Sequence, residues 1–140
     1  MDLRILNDCE DVDWQAVADI LKTVGMAHHA PEVHAKAFRA SHTTVFVYDG
    51  DRLVGFGRAL SDGAYQAAVY DCAVLPEYQG HKLGARIMRA ILDGVGHCNV
   101  ILYAAPGKEG FYRKQGFSLL KTGMGRFVRA DIMQEKGFIE

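Results

Sequence analysis

The sequence predicts an α/β domain built on a mixed sheet, and three observations lead there. The elements read in the order β-α-α-β-β-β-α-β-α-β. The segment Ala67 to Val74 is apolar on both faces, as a central strand covered from both sides must be. The chain has 140 residues, 49% of them apolar, which fits one domain with a substantial core.

Leu3 to Leu6 reads as a short first strand. Asp11 or Asp13 offers an N-cap to a helix in which Trp14, Val17, Ala18, Leu21 and Val24 recur at helical spacing, and Gly25 can close it in a left-handed conformation. Pro31 begins a second helix, with Glu32 in its first turn and Val33, Ala37 and Phe38 on its apolar side. The connection Met26 to Ala30 has no strong pattern, and His28, His29 and His34 fall in a region expected to be partly exposed. Thr43 to Tyr48 is β-branched and aromatic, Asp49-Gly50-Asp51 signals a turn, and Leu53 to Leu60 resumes as the second strand of a hairpin. Gly55 and Gly57 weaken that strand and mark a bulge or a close backbone approach. After the turn Ser61-Asp62-Gly63 comes the apolar strand Ala67 to Val74. Leu83 to Leu92 is a helix with Leu83, Ile87, Ala90 and Ile91 on one stripe, ended by Asp93-Gly94. Val100 to Ala104 is a buried strand, and Phe111 to Gln115 is a short helix closed by Gly116. Phe117 to Leu120 and Arg126 to Arg129 predict a terminal hairpin, with residues 130–140 a loose tail of the single domain 1–140.

The formal net charge is −1, which favours neither nucleic acid nor a membrane surface as a partner. No apolar run is long enough to span a bilayer, and Met1-Asp2-Leu3-Arg4 has no secretory pattern. Cys9, Cys72 and Cys98 are odd in number and make no C-x-x-C pair, as expected of reduced thiols in a cytoplasmic protein. The histidines lack ligand spacing, so no metal is expected.

The most informative stretch is Val74-Leu75-Pro76-Glu77-Tyr78-Gln79-Gly80-His81-Lys82-Leu83-Gly84-Ala85-Arg86. An apolar strand ends at Pro76 and a helix starts inside a glycine-bearing loop. Amides at a helix N-terminus lack intrahelical acceptors and lie at the positive end of the helix dipole, so they hold anions. Gly80 and Gly84 admit a ligand close to the backbone, and His81, Lys82 and Arg86 add donors or positive charge. Taken alone, the segment is equally an ordinary strand–turn–helix connection. Its spacing is that of neither a P-loop nor a dinucleotide fingerprint.

In context it resembles the acyl-CoA pyrophosphate loop of the GNAT superfamily of N-acetyltransferases. The Val-x-Pro strand end, Gln79-Gly80 and Leu83-Gly84 follow that family's order. Phe111-Tyr112-Arg113-Lys114-Gln115-Gly116-Phe117 is similar to its Phe-Tyr-x-x-x-Gly-Phe segment, and Arg52 to Gly57 to its hairpin strand. The resemblance spans about residues 43–120. Two positions depart from it: Lys82 stands where a pattern glycine is usual, and Ala104-Ala105 where an asparagine often lies.

The resemblance implies a single-domain α/β fold, with a mixed, mostly antiparallel twisted sheet flanked by helices on both faces. It implies acetyl transfer from acetyl-CoA to a primary amine by direct attack in a ternary complex. It assigns Gln79, Gly80, His81, Lys82, Leu83, Gly84 and Ala85 to the diphosphate, and Cys72, Ala73 and Val74 to the pantetheine arm, with the Val74 amide polarising the thioester. Tyr112 is the candidate general acid for the departing thiolate. Asp71, an acid inside an apolar strand, is the candidate base; a structural carboxylate satisfied by Arg58, Glu77 as base, and a water relay are the alternatives. Cys72 as a covalent nucleophile lacks a His-Asp partner nearby in sequence. The acceptor is expected to be a small-molecule amine, an amino acid or an antibiotic-like amine included, recognised by Met26 to Pro31, the second helix and the region of Gly123-Met124-Gly125. Phe56, Tyr65, Tyr70 and Tyr103 are either core or an aromatic wall suited to an arylalkylamine or another apolar amine. An exposed sheet edge or the terminal strands offer a route to a homodimer. A non-catalytic acyl-CoA sensor acting on a partner protein is the alternative function.

Overall fold

Five strands form one sheet in the order β1-β2-β3-β4-β5. They are β1 (Leu3–Leu6), β2 (Thr43–Asp49), β3 (Arg52–Ser61), β4 (Gln66–Val74) and β5 (Asn99–Ile101). The first three pairings are antiparallel and β4–β5 is parallel, so the sheet is mixed and mostly antiparallel. The computed structural model describes residues 1–140. Backbone contacts gather the chain into two units, Met1–Leu102 and Tyr103–Glu140. No helix is long and apolar enough to cross a membrane.

In the first unit the helices cover both faces of the sheet, and the alternation of β2 and β3 explains how. Phe46 and Phe56 are register partners on one face. Phe38 of α2 (Pro31–Arg39) packs on both, and Trp14 of α1 (Trp14–Thr23) packs on Phe38 and Phe46, with centroids 5.4–6.0 Å apart. Val45 and Val47 point the other way, opposite Gly57 and Gly55. There α3 (Leu83–Val95) buries Leu83, Ile87, Met88, Ile91 and Val95. The two glycines let α3 sit close. A Cβ at Gly57 would meet the Ile91 Cδ1 at 2.7 Å and the Cys72 Sγ at 2.9 Å.

The helix boundaries follow local chemistry. The Asp13 carboxylate caps α1 through the amides of Gln15 and Ala16. Gly25 at φ +80° ends it, with Gly25 N–H bonded to the Lys22 carbonyl and Met26 N–H to that of Leu21, the paired bonds of a Schellman cap. Pro31 is the first residue of α2, where its missing N–H costs nothing. The buried stripe of α2 is His34, Ala35 and Phe38, not the expected Val33 and Ala37; Val33 is exposed. The expected end of α3 at Asp93-Gly94 is also corrected. The helix continues to Val95, and Gly94 is a packing glycine inside it, set against Thr43, whose side chain leaves no room for a Cβ.

The second unit differs most from expectation. It holds α4 (Glu109–Lys114), closed by Gly116 at φ +94°, and α5 (Ala130–Glu135). Neither half of the expected terminal hairpin forms: 117–129 contains no strand, and Leu119, Leu120, Met124 and Val128 are exposed. A lone two-stranded hairpin buries too little to persist. The expected tail instead contains α5, stopped by Gly137 at φ +84° with Phe138 N–H bonded back to the Met133 carbonyl, and the Phe138 ring sits edge-on to Tyr103.

Packing at Gly57 yields the first prediction. Gly57→Ala should lower stability by about 1–3 kcal/mol through overpacking against α3. Gly110→Ala, in α4 with open space around it, should be neutral or gain up to about 1 kcal/mol. Urea unfolding of the two variants reads the difference.

Candidate active site

The site grows from the bulge in β4. Phe56 pairs with Ala73 and Arg58 with Tyr70, so Gly57 alone faces both Asp71 and Cys72. Asp71 takes a left-handed backbone, φ +56°. Its Oδ2 accepts Arg58 Nε–H at 2.7 Å, with both side chains largely buried. The Arg58 guanidinium lies over the rings of Phe38 and Tyr70, 5.5 and 5.4 Å from their centroids, and Nη1 donates to Ser41 Oγ at 3.3 Å. Asp71 and Arg58 are therefore paired, as the structural-carboxylate alternative expects. Burial, reinforced by the Asp71 charge, pushes the Cys72 thiol up to about 12, so it is protonated at neutral pH and unsuited to nucleophilic attack.

Beyond the bulge the strand offers main chain. Leu75 N–H bonds to the Val54 carbonyl, which makes the Val54–Leu75 couple a hydrogen-bonded pair of the ladder. By alternation the backbone of Ala73 faces β3 and that of Val74 faces away. Pairing of β4 with β5 has already stopped at Ala68–Ile101, and the Val74 carbonyl accepts Gln79 Nε2 at 3.0 Å. The Val74 N–H thus points to the side of β4 where the parallel ladder is absent.

A 3₁₀ turn, Pro76–Tyr78, leads into the loop. Tyr78 OH donates to Asp49 Oδ2 at 2.5 Å, and Arg52 donates to Glu77 at 2.7 Å while lying over the Tyr78 ring. These bonds fix the loop to the β2–β3 hairpin. The Arg52 bond holds the Glu77 carboxyl below its usual range and commits it to anchoring the loop. Tyr78 is the anchor that sequence reasoning missed. Its single signal was an aromatic residue in a polar loop.

Gly80 follows at φ +88°, and Lys82 is the N-terminal boundary residue of α3 at φ +59°. Lys82 thus adopts the left-handed conformation that a glycine in its place would favour. No side chain caps α3, and its first turn has no acidic residue. The first helical bond runs from Arg86 N–H to the Lys82 carbonyl, leaving the amides of Leu83, Gly84 and Ala85 without intrahelical acceptors. His81, Lys82 and Arg86 surround this end and are exposed. Cations at a helix N-terminus oppose the dipole, and an anion reverses that penalty. Donors, charge and absent caps all fit a diphosphate such as that of coenzyme A. A separate hollow of about 400 Å³ beside α1, lined by Asp11, Asp13, Asp19 and Asp51 among others, has the wrong charge for it.

In the second unit, Tyr112 on α4 packs edge-on to Phe111 and Phe117 at 5.1 and 6.0 Å. No group of His, Cys, Asp and Glu is arranged to hold a metal ion.

Comparisons with known proteins bear on the family and the fold. Residues 41–119 match the acetyltransferase (GNAT) domain family. An uncharacterized ycf52-like N-acetyltransferase of Prochlorococcus marinus is 32% identical over 85% of this chain and 70% of its own length. Serotonin N-acetyltransferase 2 (chloroplastic) of Oryza sativa is 34% identical over 77% of this chain, which spans 58% of that relative. Among solved structures, a GNAT family acetyltransferase of Streptococcus pneumoniae is 30% identical with a TM-score of 0.77, covering 91% of this chain and 98% of that one.

The left-handed Lys82 gives the second prediction. Lys82→Gly should keep or slightly raise stability, since it removes about 1 kcal/mol of backbone strain, whereas a β-branched Lys82→Val should lower it. Thermal unfolding of both variants checks the sign. Taken with the family match and the relatives, the β4 bulge and the uncapped α3 identify the chain as a member of the GNAT acetyltransferase family.

Proposed function

We propose that the 140-residue chain acts as one N-acetyltransferase domain that moves the acetyl group of acetyl-CoA onto the primary amine of a small molecule, by direct attack in a ternary complex. The observation that carries this reading is the N-terminus of α3: amides without acceptors, no acidic neighbour and three basic or donor side chains. The family uses acetyl-CoA, whose thioester supplies an activated acetyl carbon.

In this reading the amides from Gly80 to Ala85, with Lys82 and Arg86, hold the diphosphate, and Gln79 orders the loop through Val74. The Val74 N–H pairs with the pantetheine arm beside Cys72 and Ala73. Asp71 receives the proton of the incoming ammonium, directly or through water, and Arg58 orients it by holding Oδ2. The proton must leave because an alkylammonium near pKa 10.4 has no lone pair to attack with. Tyr112 is assigned the acid's role on its motif. The acceptor class favoured is an arylalkylamine. Support comes from the half-buried Tyr70 ring against Arg58 and from the serotonin-named relative.

Measuring CoA release with acetyl-CoA and a panel of serotonin, tryptamine, phenylethylamine and spermidine tests the reading. Turnover greatest with the aromatic amines is expected; acetyl-CoA binding without turnover of any amine would favour a sensor. Asp71→Asn should lower kcat/KM at least about a hundredfold, and Tyr112→Phe should lower kcat about tenfold or more. Arg86→Glu should weaken CoA binding about tenfold by calorimetry while leaving stability equal or slightly higher, because the new carboxylate suits the helix dipole but repels the diphosphate.

A further inference from the structure

His34 is a buried polar side chain that the transfer chemistry above does not use. It is 3% exposed, whereas His28 and His29 are exposed. It lies one helical turn before Phe38, whose ring supports the Arg58 guanidinium. That spacing sets His34 on the face of the sheet that carries the Asp71–Arg58 pair. Its Nε2 accepts the backbone N–H of His29 at 2.8 Å, and the two rings lie 5.5 Å apart. A backbone N–H only donates, so this Nε2 bears no proton.

The bond joins the middle of the Met26–Ala30 connection to α2. This connection has no regular structure and is mostly exposed. At its start Met26 N–H is tied to the Leu21 carbonyl, and at its end Pro31 opens α2. Between those points, the His34 bond fixes its path.

We propose that neutral His34 is a positioning residue for the acceptor amine, pinning the Met26–Ala30 connection beside the Asp71–Arg58 pair so that the amine binds against it. The inference rests on the assignment of Asp71 to the acceptor. Protonating His34 would convert Nε2 into a donor facing another donor, and the pin would release. Burial lowers the pKa of His34. Among the charged and titratable groups around it, Asp71 on β4 opposes that shift, while His29 and His28 on the connection and Arg58 on β3 add to it. A histidine whose folded pKa lies below its unfolded value near 6.5 contributes stability that is fully present above about 6.5 and is lost as pH falls through the folded value.

Hydrogen exchange of the full chain between pH 5 and 8, corrected for intrinsic rates, reads the pin directly. In the natural protein, protection at His29 should fall with a midpoint below about pH 6.5. His34→Leu should abolish that protection at every pH. His34→Gln, whose Oε1 can accept in place of Nε2 and does not titrate, should retain it across the range. Steady-state kinetics with the best amine of the panel reads the role. His34→Leu should raise the amine KM about tenfold and leave the acetyl-CoA KM unchanged, with His34→Gln restoring most of the loss. Protection that survives in His34→Leu, or is lost in His34→Gln, overturns the pin. Lost protection with an unchanged amine KM overturns the acceptor role while leaving the Asp71 assignment to its own variant. An absence of turnover with every amine overturns the acceptor role together with the proposed function, and exchange still decides the pin.

Discussion

Between Phe56 and Arg58 the β3–β4 ladder gives one residue, Gly57, two partners, Asp71 and Cys72. A bulge of this kind adds local twist and re-aims side chains. Here it does so without disturbing the core, because Gly57 has no Cβ and Ile91 of α3 fills the space. The bulge also requires a left-handed residue, and the chain supplies Asp71 rather than glycine. Left-handed aspartate is tolerated better than most residues there but is still disfavoured relative to glycine. A carboxylate in that position has no purely conformational advantage over glycine. Its compensation is the Arg58 bond, which holds the carboxylate at a break in the ladder.

The same balance of local cost and ligand chemistry recurs at the start of α3. Lys82 is left-handed, the helix has no side-chain cap, and the nearby charges are positive. Each feature is unfavourable for a helix standing alone. A bound dianion offsets the last two at once. The anchors lie outside the loop, in the Tyr78–Asp49 and Arg52–Glu77 bonds, so the amides are held without spending them on internal contacts.

Much of this was legible in the sequence for physical reasons. Strands β1 to β4 and helices α1 to α3 announced themselves through period, caps and turn residues. Gly55 and Gly57 pointed to a bulge or a close approach because glycine otherwise weakens an apolar strand, and Gly57 lies at the bulge. The family match lies where those motifs lie, at residues 41–119. Tertiary partners were not legible. Gly94 reads as a helix stop until Thr43 is seen against it. His34 reads as a surface histidine until the helix is rotated by Phe38 and Ala35 toward the sheet. The 117–129 segment has strand-like composition, but composition does not supply an edge to pair with.

Cys72 shows how the environment selects among chemistries that sequence leaves open. Its position on β4 next to Asp71 would suit a covalent acyl carrier if the thiol ionised. Burial, with the neighbouring Asp71 charge adding to it, holds the thiol up at about 12, so it stays protonated at pH 7. The cation present, Arg58, is bound to Asp71 through Nε and lowers the thiol too little to offset burial. The Asp71 carboxylate therefore adds to the suppression of the sulfur nucleophile one residue away. A thiol held protonated in this way is a poor acyl carrier.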